Sequence, residues 1–158
     1  MEDTTNTNLA WVSLGSNLGD RREWLEQALR ALHAMPGIRV EAVSSVVETT
    51  AMGPEQPDYL NAVARVETRL SPMALLGVLH GLEDAAGRTR SERWGPRTLD
   101  LDLLLFADRV VDTPLLTIPH PGIAERRFVL TPLCELNPEL RHPVLDRRVE
   151  ELLEALSE

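Results

Sequence analysis

Asp100 and Asp102 stand two residues apart in "TLDLDLLLF", directly after Arg88, Arg90, Arg93 and Arg97, four arginines in a run of ten residues. If this stretch is a strand, side chains alternate. The two carboxylates then share one face, while Leu99, Leu101 and Leu103 point the other way. Their Cα atoms would stand about 6.5 to 7 Å apart, close enough to share or bridge hard cations such as Mg²⁺. That ion takes a few carboxylate oxygens and leaves positions for substrate phosphates. The arginines add the complementary half: planar, permanently charged forks that clamp a polyphosphate from the side opposite the metal. Gly87, Gly95 and Pro96 give the same segment the make-up of a loop that could close as a lid. The plain alternative is a solvated basic loop whose arginines pair with aspartates on an edge strand.

The rest of the chain must position this pair. "LAWVSL", Leu9 to Leu14, reads as a strand ended by the turn and cap formers of "GSNLGD". Trp24, Leu25, Ala28, Leu29, Leu32 and Met35 fall at helical spacing, and Asp20 with Glu23 resembles a capping box. Pro36 and Gly37 stop that helix. Ile38 to Thr49 is rich in β-branched residues and predicts a second strand, and Tyr59 to Thr68 a third. Ser71 and Pro72 open a second helix with Leu75, Leu76, Leu79, Leu82 and Ala86 inside, and Gly87 closes it. The fourth strand carries the aspartates. The order β-α-β-β-α-β predicts an α+β, ferredoxin-like sandwich, an antiparallel sheet with helices on one face. A C-terminal extension follows Asp108. It holds a short strand near Arg109 to Val111, a proline-punctuated region from Pro114 to Pro143, and a final helix with Val149, Leu152, Leu153 and Leu156 on one side.

The 158 residues predict one domain spanning 1–158, with residues 1–8 a loose polar tail that is neither signal peptide nor membrane span. A net charge of -9 argues against a general nucleic-acid or anionic-membrane binder. Cys134 is the only cysteine, so an internal disulfide and a cysteine-based zinc site are excluded, which fits a reducing, cytoplasmic setting. The glycines of "LGSNLGD" do not form a phosphate loop, because neither Gly-Lys-Ser/Thr nor a full G-x-G-x-x-G is present.

Taken in order, "LGSNLGD", "GPEQPDYLNA", "RWGPRTLDLDLLLF" and "IPHPGIAERRFVLTPL" resemble the 6-hydroxymethyl-7,8-dihydropterin pyrophosphokinase family of folate biosynthesis, from about Ala10 to about Pro143. The resemblance implies a ferredoxin-like monomer that binds MgATP and the pterin in one cleft, with two Mg²⁺ on Asp100 and Asp102. The pterin hydroxymethyl oxygen attacks the β-phosphorus of ATP and AMP leaves. Arg88 and Arg90 carry over as the catalytic pair with the aspartates. Glu83, Arg88, Arg93, Trp94, Arg97, Thr117, His120 and Arg126 carry over as ATP contacts, with His120 binding rather than transferring protons. Thr49, Met52, Tyr59, Asn61, Trp94 and Phe128 carry over to the pterin, whose flat ring suits aromatic faces and an amide.

Each of these has a structural alternative: core packing for Tyr59 and Phe128, internal bonding for Asn61, an exposed helical glutamate for Glu83. Thr50 and Ala51 stand where the family pattern has prolines, which implies weaker pterin affinity rather than a different reaction. His80 and Leu115 also depart from the pattern, and the arginine loop is shorter between Arg90 and Arg93. Two other functions compete. A nucleotide-sensing module would bind without producing AMP. A Mg²⁺-dependent phosphohydrolase would need a positioned water and a base.

Overall fold

The computed structural model describes residues 7–49, 58–87 and 99–156. Four long antiparallel segments make the main sheet: β1 (Asn8–Ser16), β2 (Ile38–Val43), β4 (Tyr59–Thr68) and β5 (Asp100–Phe106), in the order β2-β4-β1-β5, with the short β3 (Val47–Thr49) also paired to β4. With α1 (Arg21–Ala34) and α2 (Pro72–Ala85) this is the expected βαββαβ order. Asn8 is already paired with Thr68, so the loose-tail expectation stops short of it; residues 1–6 lie outside the described set.

Local chemistry explains the boundaries. Asp20 Oδ1 accepts the Glu23 N–H at 3.2 Å and caps α1, and Ser71 Oγ accepts the Ala74 N–H at 3.1 Å ahead of Pro72. Gly87 ends α2 with φ at +77°, a left-handed backbone suited to glycine. The predicted second strand is broken in two at Ser44. There the hydroxyl, rather than a backbone carbonyl, accepts the Val63 N–H at 2.9 Å, and the freed Ser45 N–H donates to Glu135 at 2.6 Å.

The two helices of the βαββαβ unit lie on one face as expected, and the extension adds helices on the other. α1 and α2 pack Leu25, Ala28, Leu32, Leu75 and Leu79 against Val12, Leu14, Ala64, Val66, Leu101 and Leu103 on that face. The opposite face is covered in part by α3 (Arg127–Leu136) and α4 (Val149–Leu156), whose Val129, Leu130, Leu133, Val149 and Leu152 meet Trp11, Val63, Leu104 and Leu105. A bulge makes the last two neighbours possible: Trp11 pairs with Leu105 and Val12 with Leu103, leaving Leu104 as an extra residue. The extension thus supplies a second core. It also holds two small hairpins, β6 (Val111–Asp112) with β7 (Thr117–Ile118) and β8 (Arg141–His142) with β9 (Arg147–Arg148). The first begins slightly later than the predicted Arg109 to Val111.

Candidate functional site

Among the described residues, α3 and α4 cover one half of the second sheet face, and the other half is polar. Antiparallel register builds it in rows. Gly15 of β1 lies between Asn61 of β4 and Asp100 of β5, and Ser13 lies between Val63 and Asp102. Thr49 of β3 pairs with Tyr59, extending the same face outward. Alternation therefore brings Thr49, Tyr59, Asn61, Asp100 and Asp102, drawn from three strands, to one surface.

Gly15 was expected in a loop; it sits inside β1 and opens the floor of this surface. A Cβ there would stand 3.1 Å from Asn61 Oδ1, tighter than an ordinary contact, and 3.4 Å from Tyr59 Cδ1, in van der Waals contact, so a side chain would make the amide oxygen give way. Asn61 is buried, and its Nδ2 donates to Thr49 Oγ1 at 2.7 Å. The internal bonding weighed for this residue thus takes up one end of the amide. The oxygen end remains over Gly15 as an acceptor.

At the β5 side, Asp100 and Asp102 share the face as alternation required, and the Asp102 side chain is 37% exposed. Two half-exposed carboxylates suit Mg²⁺, which binds through one or two such groups and otherwise through water and phosphate. Behind them, Glu83 is not the exposed helical glutamate that was weighed. It is 1% exposed, and its Oε2 accepts the N–H of Leu101, between the two aspartates, at 2.8 Å. This charge-assisted bond ties the end of α2 to β5 and holds the carboxylate-bearing strand in place.

His120 comes to the carboxylates from the extension. Its backbone N–H donates to Leu104 O at 2.9 Å, docking it on the bulge. Its Nδ1 accepts the Gly122 N–H at 3.1 Å, so the neutral ring carries its proton on Nε2, which lies 3.9 Å from Asp102 Oδ1. Burial holds the His120 pKa below its ordinary value, Arg126 lowers it further, and Asp100 opposes both. Near pH 7 the ring is a neutral N–H donor facing a carboxylate rather than half of an ion pair. Arg126 places its guanidinium carbon 6.0 Å from the centre of the Phe128 ring, a cation–π arrangement. Phe128 is half-buried at the start of α3 against the second core, so its packing role is real; Thr117 is exposed on β7. Met52, Arg88, Arg90, Arg93, Trp94 and Arg97 lie outside the described residues.

On the opposite side of β3 and β4, a second hollow is lined by Arg21, Glu48 and Leu60. Glu48 and Leu60 alternate away from Thr49 and Asn61, which separates this hollow from the carboxylates. Arg21 bridges it, with Nη1 2.8 Å from Glu48 and 2.6 Å from Asp58 O.

A ferredoxin-like sheet with paired carboxylates, a neutral imidazole donor and an arginine on one open surface is the framework of a phosphate-transferring enzyme. Residues 11–138 match the model of the 7,8-dihydro-6-hydroxymethylpterin-pyrophosphokinase family, and the chain belongs to that family of pterin pyrophosphokinases of folate synthesis. It is 46% identical over 146 residues to a 2-amino-4-hydroxy-6-hydroxymethyldihydropteridine pyrophosphokinase of Pseudomonas aeruginosa, covering 92% of this chain and 90% of that protein. It is 43% identical over 155 residues to the folic acid synthesis protein fol1 of Schizosaccharomyces pombe, covering 98% of this chain but 21% of that protein. A crystal structure of Plasmodium falciparum HPPK-DHPS with pteroate shares the fold at a TM-score of 0.74 and 16% identity, over 94% of this chain and 42% of that one.

Proposed function

We propose that the open half of the second sheet face is where pyrophosphate passes from ATP to the hydroxymethyl group of 6-hydroxymethyl-7,8-dihydropterin. The observation that carries this is the row Asn61, Gly15, Asp100, in which a buried amide and a half-exposed carboxylate flank a glycine on the strand between them. Two Mg²⁺ ions would be held by Asp100 and Asp102. Bound there, they would offset charge on the phosphate oxygens. The pterin ring lies along Tyr59 with Phe128 on its other side, and Asn61 Oδ1 accepts one of its N–H groups. Thr49 fixes the amide that does so.

His120 donates Nε2–H to a phosphate oxygen, and Arg126 adds a positive charge beside it. Arg88, Arg90, Arg93, Trp94 and Arg97 fall in the sequence between Gly87 and Leu99, and the family resemblance assigns the arginines to the triphosphate, Arg88 and Arg90 as the catalytic pair, and Trp94 to both ligands. In the transfer, the pterin hydroxymethyl oxygen forms a bond to the β-phosphorus and gives up its proton to solvent, the bond from that phosphorus to the α-phosphate oxygen breaks, and AMP leaves with the electron pair. The chain's own contribution is alignment and charge compensation. Among the described residues no helix is long and apolar enough to cross a membrane, and we place the enzyme in the cytoplasm as a monomer acting on small molecules.

Incubating the protein with MgATP and the pterin, then resolving the nucleotides by chromatography, tests this reading. AMP formed only when the pterin is present supports it. ADP, hydrolysis without pterin, or bound but intact ATP would replace it with a kinase, a phosphohydrolase or a sensor, respectively.

A further inference from the structure

Between His120 and Arg126 the chain turns back on itself. Ile123 N donates to His120 O at 3.2 Å, Glu125 N to Gly122 O at 3.3 Å, and Arg126 N to Ile123 O at 3.3 Å. This tight turn, with its 3-10 segment Ile123–Glu125, brings the Arg126 side chain directly over buried Gly122. A Cβ on Gly122 would lie 2.6 Å from Arg126 Nε and 2.8 Å from its Cζ, closer than such atoms can approach. The backbone does not call for glycine at this point, since φ of -93° and ψ of 0° are open to L residues. The guanidinium does. The same glycine donates its N–H to His120 Nδ1.

We propose that Gly122 is a positioning residue for the nucleotide: its missing side chain is the seat that holds the Arg126 guanidinium above Phe128 and next to His120. The inference rests on the reading of Arg126 as a phosphate contact. Because the crowded atoms are the far end of a flexible side chain, a methyl group at 122 displaces the arginine without breaking the fold. Position 122 therefore acts on ligand binding separately from stability, and it acts through Arg126.

The test is a double-mutant cycle on the full chain, reading the Kd of α,β-methylene-ATP with Mg²⁺ by calorimetry for wild type, Gly122→Ala, Arg126→Ala and the double variant. Arg126→Ala should weaken binding about tenfold, as expected for loss of a charge-assisted contact. Gly122→Ala should weaken it about threefold to tenfold. Its Tm should be unchanged or slightly raised, because alanine fits this backbone and restricts the unfolded chain. In steady state its KM for ATP should rise while kcat and the KM for pterin hold. In the Arg126→Ala background, Gly122→Ala should add nothing.

Unchanged affinity in Gly122→Ala, or the same fold loss with and without Arg126, overturns the proposal. An Arg126→Ala protein that binds the analogue as well as wild type would overturn the phosphate role of Arg126 itself, and this inference with it. Gly122→Leu supplies a second reading: a larger side chain should weaken binding at least as much as alanine does.

Discussion

Two halves of one sheet face, built from the same strands, do different work. Where Trp11, Val63, Leu104 and Leu105 face outward, α3 and α4 cover them; two to four residues further along the same strands, Ser13, Gly15, Tyr59, Asn61, Asp100 and Asp102 face outward and form a polar half. Pairing of β1 with β4 runs unbroken across the boundary, while β5 marks it with the bulge at Leu104. Burial of the apolar half anchors the strands, and that rigidity lets the polar half hold carboxylates and an amide oxygen at fixed spacing. Function and folding should therefore separate cleanly by mutation along a single strand.

The largest effect is expected at Asp102. Replacing it with asparagine should lower turnover at least about a hundredfold by weakening the proposed metal site, with Tm at or above the wild-type value because one of two adjacent negative charges is gone. A variant with near-normal kcat would break the comparison. Leu130→Ala in the covered half should do the reverse. It should lose about 2–5 kcal/mol in denaturant unfolding, from transfer and cavity costs, while each folded molecule keeps its kcat.

Much of this division was legible in the chain. Period-two alternation in "TLDLDLLLF" placed the aspartates together and Leu101 and Leu103 in the core, and the Asp20 and Ser71 caps fell where their side chains indicated. The second core was legible only in its final helix, whose Val149, Leu152, Leu153 and Leu156 do face inward. α3 contains Pro132, which lacks the N–H a helix interior uses, and the prolines around it read as turns; the apolar set Val129, Leu130 and Leu133 outweighs that cost once buried. Gly15 was misread because "GSN" has the composition of a turn, whereas the glycine serves a strand that must leave room beside Asn61. Glu83 carried no local sign of burial, since its partner is a backbone N–H eighteen positions away.

Gly15 offers a finer test. Alanine there would press on the Asn61 oxygen, and pterin affinity should fall about threefold to tenfold while ATP affinity holds. Equal loss for both ligands, measured by calorimetry, would show that the floor of the site does not divide as described.

The smallest effect concerns pH and the far end of the extension. His142 is buried, and its Nδ1 accepts the N–H groups of Val144 and Leu145 at 3.3 and 3.1 Å, so protonation there breaks both bonds. Burial holds its folded pKa below 6.5, its ordinary value, and the unfolded chain therefore takes up the proton first. Its contribution to stability is full above about pH 6.5 and declines as pH falls through the folded pKa, by at most about 1.4 kcal/mol per pH unit. The stability gap between wild type and His142→Asn should narrow from pH 7.5 to pH 5.5 in urea titrations. A gap that stays constant would remove His142 from the pH dependence.

The central claim is that the open half of the face holds the metal and nucleotide that do the chemistry. Its most direct test is a titration of Mn²⁺, followed by its spin-resonance signal, into the protein with α,β-methylene-ATP. Wild type should take the ion out of solution beyond what the nucleotide alone binds, and Asp102→Asn should lose that excess while remaining folded. Equal uptake by the two proteins would contradict the assignment of the site.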